Sequence, residues 1–161
     1  ARPFCGNPFH RQIQFQSFGC LQMVKITAVG LKQAVAYLFL LEPDLLFVAA
    51  EHLNRLRDNY LAGPADLAVE IISPESVGRD RGDKFYEYEQ AGIPEYWLLD
   101  PQARRAEFYQ LDAAGVYQLI APDQAGIYRS AVVPGFWLRV SWLWQQPLPR
   151  VLDVLRELGV V

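Results

Sequence analysis

Two apolar runs bracket one helical segment, and this arrangement constrains the fold more than anything else in the chain. Residues 67–72 (Leu-Ala-Val-Glu-Ile-Ile) stop at Ser73-Pro74, and residues 96–99 (Tyr-Trp-Leu-Leu) stop at Asp100-Pro101. The residue before a proline is pushed out of the helical region, so Ser73 ends the first run as a strand. Residues 77–91 between the runs read as a helix, with Gly92 as its C-terminal stop and Pro94 forbidding continuation. A strand–helix–strand unit of this kind crosses over right-handed, with its two strands parallel.

Weaker signals flank this unit. Residues 45–49 form a short apolar run after Pro43 and read as a buried strand. Residues 51–60 are polar and read as a helical turn or loop, closed by Gly63-Pro64. Residues 106–111 and 116–120 flank an Asp-Ala-Ala-Gly turn and read as a hairpin. Residues 126–130 and 136–144 read as further strands. Residues 148–158 read as an amphipathic helix, with Val151, Leu152, Leu155 and Leu158 on one face. Toward the N-terminus, Val24, Ile26, Ala28 and Leu31 mark a strand and a turn at Gly30. Residues 31–41 fit a short helix or a buried strand equally. The sum is an α/β (α+β) fold with a mixed sheet.

Composition fits one folded domain. The chain has 161 residues, enough for a substantial core, and 52% of them are hydrophobic. Residues 1–40 contain Arg2, Arg11, Lys25 and Lys32 but no acid, while the remainder carries 11 basic and 18 acidic residues. Four charges over that length are too sparse to identify a phosphate-binding arm. The segment 1–40 is therefore read as atypical, incomplete or non-native, ahead of a domain spanning 41–161. Cys5 and Cys20 are the only cysteines, and without a Cys/His cluster a zinc site is not expected. There is neither a long apolar run nor a secretory leader pattern, so the expectation is a cytoplasmic protein with no membrane contact.

Three residues carry the chemistry. Glu70 falls in mid-strand among Val69, Ile71 and Ile72, and a glutamate there needs a partner or a solvated face. Asp44 follows Pro43 at the start of an apolar strand; a cap or turn role is the plain alternative, since aspartate beside proline is common in turns. Lys84 lies on the following helix, on one face with Arg81 and Tyr88. Its plain alternative is a solvated pair with Asp80 or Glu87. Asp66 shares parity with Glu70 but lies about 13 Å away along an extended strand, too far for one shared metal, and reads as a cap or hairpin residue. A Mg²⁺-type ion takes oxygen ligands and keeps several waters, so two carboxylates suffice. Such an ion activates water against a phosphoryl group, and a nearby ammonium offsets the developing charge. His10 and His52 are not expected to act as bases.

From Glu42 onward the chain resembles the Uma-type restriction endonuclease family, a bacterial group placed in the PD-(D/E)XK nuclease superfamily. The resemblance rests on Glu42-Pro43-Asp44-Leu45-Leu46-Phe47-Val48, on Asp66 to Pro74, on Asp80 to Lys84, and on Tyr88 with Ala91 to Pro101. Pro134-Gly135-Phe136 fits the family's C-terminal part. The resemblance implies a restriction-endonuclease-like mixed central sheet flanked by helices. It implies Asp44 and Glu70 as acidic ligands of Mg²⁺, or Mn²⁺, with DNA as the substrate. The superfamily places its lysine two residues after the second acid, where this chain has Ile72. Lys84 would then supply the ammonium from the helix. The superfamily's N-terminal acid has no counterpart in residues 1–40.

Two functions outside catalysis compete with a metal-dependent endonuclease. One is a catalytically degenerate nuclease-fold module that binds nucleic acid or a protein partner. The other is an interaction protein whose Trp137, Trp142 and Trp144 form a homodimer interface, which is also compatible with a dimeric nuclease.

Overall fold

Alternation along the central strands sorts their side chains onto two buried faces. In the computed structural model, residues 13–18 and 21–26 are described as backbone, and residues 43–58, 60–74, 78 and 81–161 in full. The N-terminal charges Arg2, Arg11 and Lys32, both cysteines, His10, the 31–41 segment and the start of the helix read from residue 77 lie outside the described residues, as does Asp80.

Seven strands form one sheet in sequence order: β1 (Ile13–Phe18), β2 (Leu21–Ile26), β3 (Leu45–Phe47), β4 (Leu67–Ile71), β5 (Glu95–Asp100), β6 (Arg105–Leu111) and β7 (Tyr117–Leu119). Every neighbouring pair is antiparallel except β4 and β5, which are parallel as the crossover unit requires. The connecting helix, α1, spans Asp83–Gln90 and ends at Gly92, whose φ of +74° closes the last turn. Gly78 and Arg81 are helical as well, so the segment read from the sequence is interrupted at Gly82. Gly82 has φ −111° and ψ −90°, outside the helical region, so the continuous helix starts only after it.

The α1 face of the sheet buries Leu46, Val48, Ala68, Tyr96 and Leu98 against Tyr88 and Ile93 of the crossover. The opposite face buries Phe47, Leu67, Val69, Trp97 and Phe108. A two-stranded ribbon covers that side, β8 (Ile127–Arg129) with β9 (Trp137–Arg139). Tyr128 stacks on Phe108 with ring centroids 3.8 Å apart, and Trp97 meets both rings edge-on.

The same turn chemistry closes two of the hairpin-like connections. Asp112 accepts hydrogen bonds from the N–H groups of Ala114 and Val116, and Asp123 accepts them from Ala125 and Ile127. Gly115 and Gly126 follow at φ +77° and +72°, conformations that glycine adopts without strain.

Two expectations are corrected near the C-terminus. The strand read over 136–144 covers only β9, after which Val140–Trp144 forms a 3₁₀ helix. This turn brings the Trp137 and Trp142 rings to 5.3 Å, with the Arg139 guanidinium over Trp142. Trp137, Trp142 and Trp144 are all half-buried within the chain. The terminal helix, α2, spans Val151–Glu157, because Pro147 and Pro149 delay its start. Its apolar stripe is only partly covered: Leu155 and Leu158 are half-buried, whereas Val151 is 71% exposed and Leu152 59%. A 3₁₀ turn over Ala50–Arg55 fills the polar stretch after β3. No helix among the described residues is long and apolar enough to cross a membrane.

Candidate active site

The parity that buries Val69 on one face turns Glu70 toward α1 on the other. Glu70 is 2% exposed, and its Oε1 lies 2.7 Å from Lys84 Nζ. Tyr88 donates its hydroxyl to the same oxygen at 2.6 Å. Lys84 and Tyr88 are themselves buried, one helical turn apart on α1. A carboxylate enclosed in this way needs a charge partner and hydrogen bonds, and the helix supplies both. Lys84 thus crosses to the strand instead of forming the solvated pair with Glu87 that its own helix offers.

Asp44 precedes β3. The β3–β4 register pairs Leu45 with Val69, and one further step sets Asp44 across from Glu70. Directly opposed residues share a face, with Cβ atoms about 5 Å apart. The Asp44 carboxylate is held by the backbone N–H of Ile71, which donates to Oδ2 at 2.7 Å. Asp44 is exposed, so this end of the site opens to water. Ile72, at the position where the superfamily carries lysine, belongs to the apolar core at 7% exposure.

Asp66 is not part of this group. Its carboxylate accepts the Ala49 N–H at 2.7 Å and meets His52 Nδ1 at 2.7 Å, at the opposite end of β3 and β4. It therefore fastens the chain after β3. Among the described residues, no three His, Cys, Asp or Glu side chains gather around a common metal position. Among the described residues, Asp44 and Glu70 are the acids at this end of β3 and β4, and their oxygen donors fit a hard cation that retains its waters.

Two acids escaped the sequence reading. Glu107 continues the row that holds Glu70, since Glu70 pairs with Leu98 and Leu98 with Glu107. It binds Arg81 Nη1 through both oxygens, at 3.0 and 2.8 Å, and also Arg105 Nε at 2.9 Å. Tyr109 donates to it at 3.0 Å, and burial together with the Glu107 charge raises the Tyr109 pKa. Parity within β6, opposite to Phe108, was the available signal. Glu95 is fully buried on the other sheet face, where it accepts Trp97 Nε1 at 2.6 Å, the Ser130 hydroxyl at 3.1 Å and the Ala131 N–H at 2.8 Å. It pins the β8–β9 connection and does not reach the candidate site.

Residues 22–141, about three quarters of the chain, match the Uma2 family, described as "Putative restriction endonuclease". The chain belongs to the Uma2 family. The match begins 20 residues ahead of Glu42, the first residue that carries the resemblance in sequence. The Uma2 fold is also similar to a crystal structure of "a putative nuclease belonging to DUF820" from Anabaena variabilis. That likeness has a TM-score of 0.50 and 17% identity, and covers 65% of this chain and 59% of that one. It bears out the mixed sheet with flanking helices as a nuclease-type fold. No curated protein matches the chain.

Proposed function

We propose that this Uma2 protein is a Mg²⁺-dependent endonuclease that hydrolyses phosphodiester bonds in DNA. The observation that carries the proposal is the Lys84–Glu70 ion pair at 2.7 Å, with Asp44 one step beyond the Leu45–Val69 pair of the β3–β4 register. Family membership and the fold favour a nuclease in general terms. The identity of the metal, the DNA substrate and the residue roles belong to this proposal.

In this reading Asp44 and Glu70 hold the ion. A bound divalent ion would polarise the phosphoryl group and make its bound water a better nucleophile. The chain's own groups do the rest. Tyr88 fixes the rotamer of Glu70 through its hydroxyl. The Ile71 N–H fixes Asp44 at the open end of the site. Lys84 places a positive charge beside the acid pair, where negative charge builds on the phosphate during displacement. The helix thereby replaces the ammonium that Ile72 cannot provide.

One observation favours the competing reading of a degenerate module. Ile72 is packed into the core, so the motif position has been given over to packing. Calorimetric titration of Mg²⁺ or Mn²⁺ into the protein and its Glu70→Ala variant separates the two. Binding that disappears in the variant supports the nuclease reading. No binding to the parent protein supports the degenerate module.

A further inference from the structure

The first turn of α1 has no side-chain cap. Gly82 occupies the cap position, where serine, threonine, aspartate or asparagine would ordinarily accept an amide hydrogen bond. A Cβ at Gly82 would lie 2.8 Å from the carbonyl oxygen of Gly78, so a capping side chain does not fit. Lys84 is only the second residue of this helix. Its place over the sheet must be fixed from outside the helix.

Arg81, immediately before Gly82, makes that attachment. Its Nη1 binds both oxygens of Glu107, and its Nη2 lies 3.8 Å from Asp100 Oδ2. That Nη2 is buried with no hydrogen-bond partner among the described residues, and the cost of burying this end of the guanidinium is offset by the Glu107 contact. Glu107 is held in turn by Arg105 and Tyr109. Arg81 and Lys84 are three residues apart, and their carboxylates stand two strands apart on one row of the sheet, about 10 Å between backbones.

We infer that Arg81 is a positioning residue, which through Glu107 sets the first turn of α1 so that the Lys84 ammonium lies on Glu70. The attachment itself stands on the geometry; its consequence for catalysis rests on the nuclease reading above.

The test reads Lys84 directly. The folded protein is exposed briefly to an amine-acylating reagent, and labelling of each lysine is followed by peptide mass spectrometry. Lys84 of the parent protein stays protected. Arg81→Ala labels Lys84 roughly tenfold faster, and Glu107→Gln does so to a similar degree, because loss of a charged hydrogen bond lets the first turn open. Arg81→Lys is intermediate, since an ammonium keeps the charge but loses the planar fork. Val133→Ala, on the opposite sheet face, lowers stability without exposing Lys84. Unchanged Lys84 labelling in Arg81→Ala, or equal labelling in Val133→Ala, overturns the inference. Where the parent cleaves DNA, Arg81→Ala lowers kcat with KM nearly unchanged; an unchanged kcat alongside exposed Lys84 overturns the catalytic consequence. A parent protein without cleavage activity defeats the nuclease reading, and the labelling still decides the role of Arg81.

Discussion

Lys84 and Glu70 meet at 2.7 Å across the helix–sheet interface, with both side chains at or below 3% exposure. An ion pair enclosed in this way contributes little net stability, but breaking it is costly. Lys84→Met leaves the Glu70 charge without its ammonium and is expected to lower unfolding free energy by about 3 kcal/mol. The double variant Lys84→Met/Glu70→Leu recovers most of that loss, because two apolar side chains pack where two charges stood. Urea denaturation of the single and double variants measures the difference. A double variant as unstable as the single would contradict the paired-burial account.

Asp44 separates a structural from a functional effect. Asparagine keeps an oxygen to accept the Ile71 N–H but loses the charge. Asp44→Asn should leave the unfolding free energy within about 0.5 kcal/mol of the parent. It should also weaken Mn²⁺ binding by an order of magnitude or more, since a neutral amide is a poorer ligand for a hard cation. Parallel melts and calorimetric titrations check both halves.

How much of this could be read beforehand depended on where each signal came from. The parallel β4–α1–β5 unit was legible because Ser73-Pro74 and Gly92 punctuate it locally. Glu70 was legible because a charge inside an apolar run demands a partner, and Lys84 because its spacing to Arg81 and Tyr88 fixes one helix face. Glu107 was not, because its meeting with Arg81 depends on which strands pair, and that information is tertiary. Glu95 was hidden for a different reason. It follows Pro94 and resembles a turn residue, and only the return of Ser130 and Ala131 over the sheet buries it. The aromatic stretch over 136–144 carries strand propensity, but the chain turns after β9 and brings the tilted Trp137 and Trp142 rings together.

Glu95→Ala should destabilise the protein by about 3 kcal/mol, because the Trp97 indole, the Ser130 hydroxyl and the Ala131 N–H lose a buried acceptor. Metal affinity should change little, since the lesion lies on the far face of the sheet. Thermal melts with and without Mn²⁺ test this. An equal loss of metal binding would mean that the two faces are not independent.

Stability should fall at alkaline pH. Burial, reinforced by the Glu95 charge, raises the Tyr128 pKa, and burial with the Glu89 charge raises that of Tyr117. In the unfolded chain tyrosine loses its proton near pH 10, whereas the folded chain still holds it. The stabilisation is therefore complete below about pH 10 and is lost as pH rises beyond it. Denaturation midpoints measured from about pH 9 to pH 11 should decline, and more gently in Tyr128→Phe. A parent protein with a flat profile would contradict the buried tyrosines.

The most direct test of the central claim is cleavage of supercoiled plasmid DNA by the purified protein, with Mg²⁺ or Mn²⁺ and with chelator, beside Glu70→Ala and Lys84→Ala. The account predicts nicked and linear DNA only when the metal is present, and loss of that activity in both variants. Cleavage by the parent that survives in Glu70→Ala, or none with either metal, would contradict it.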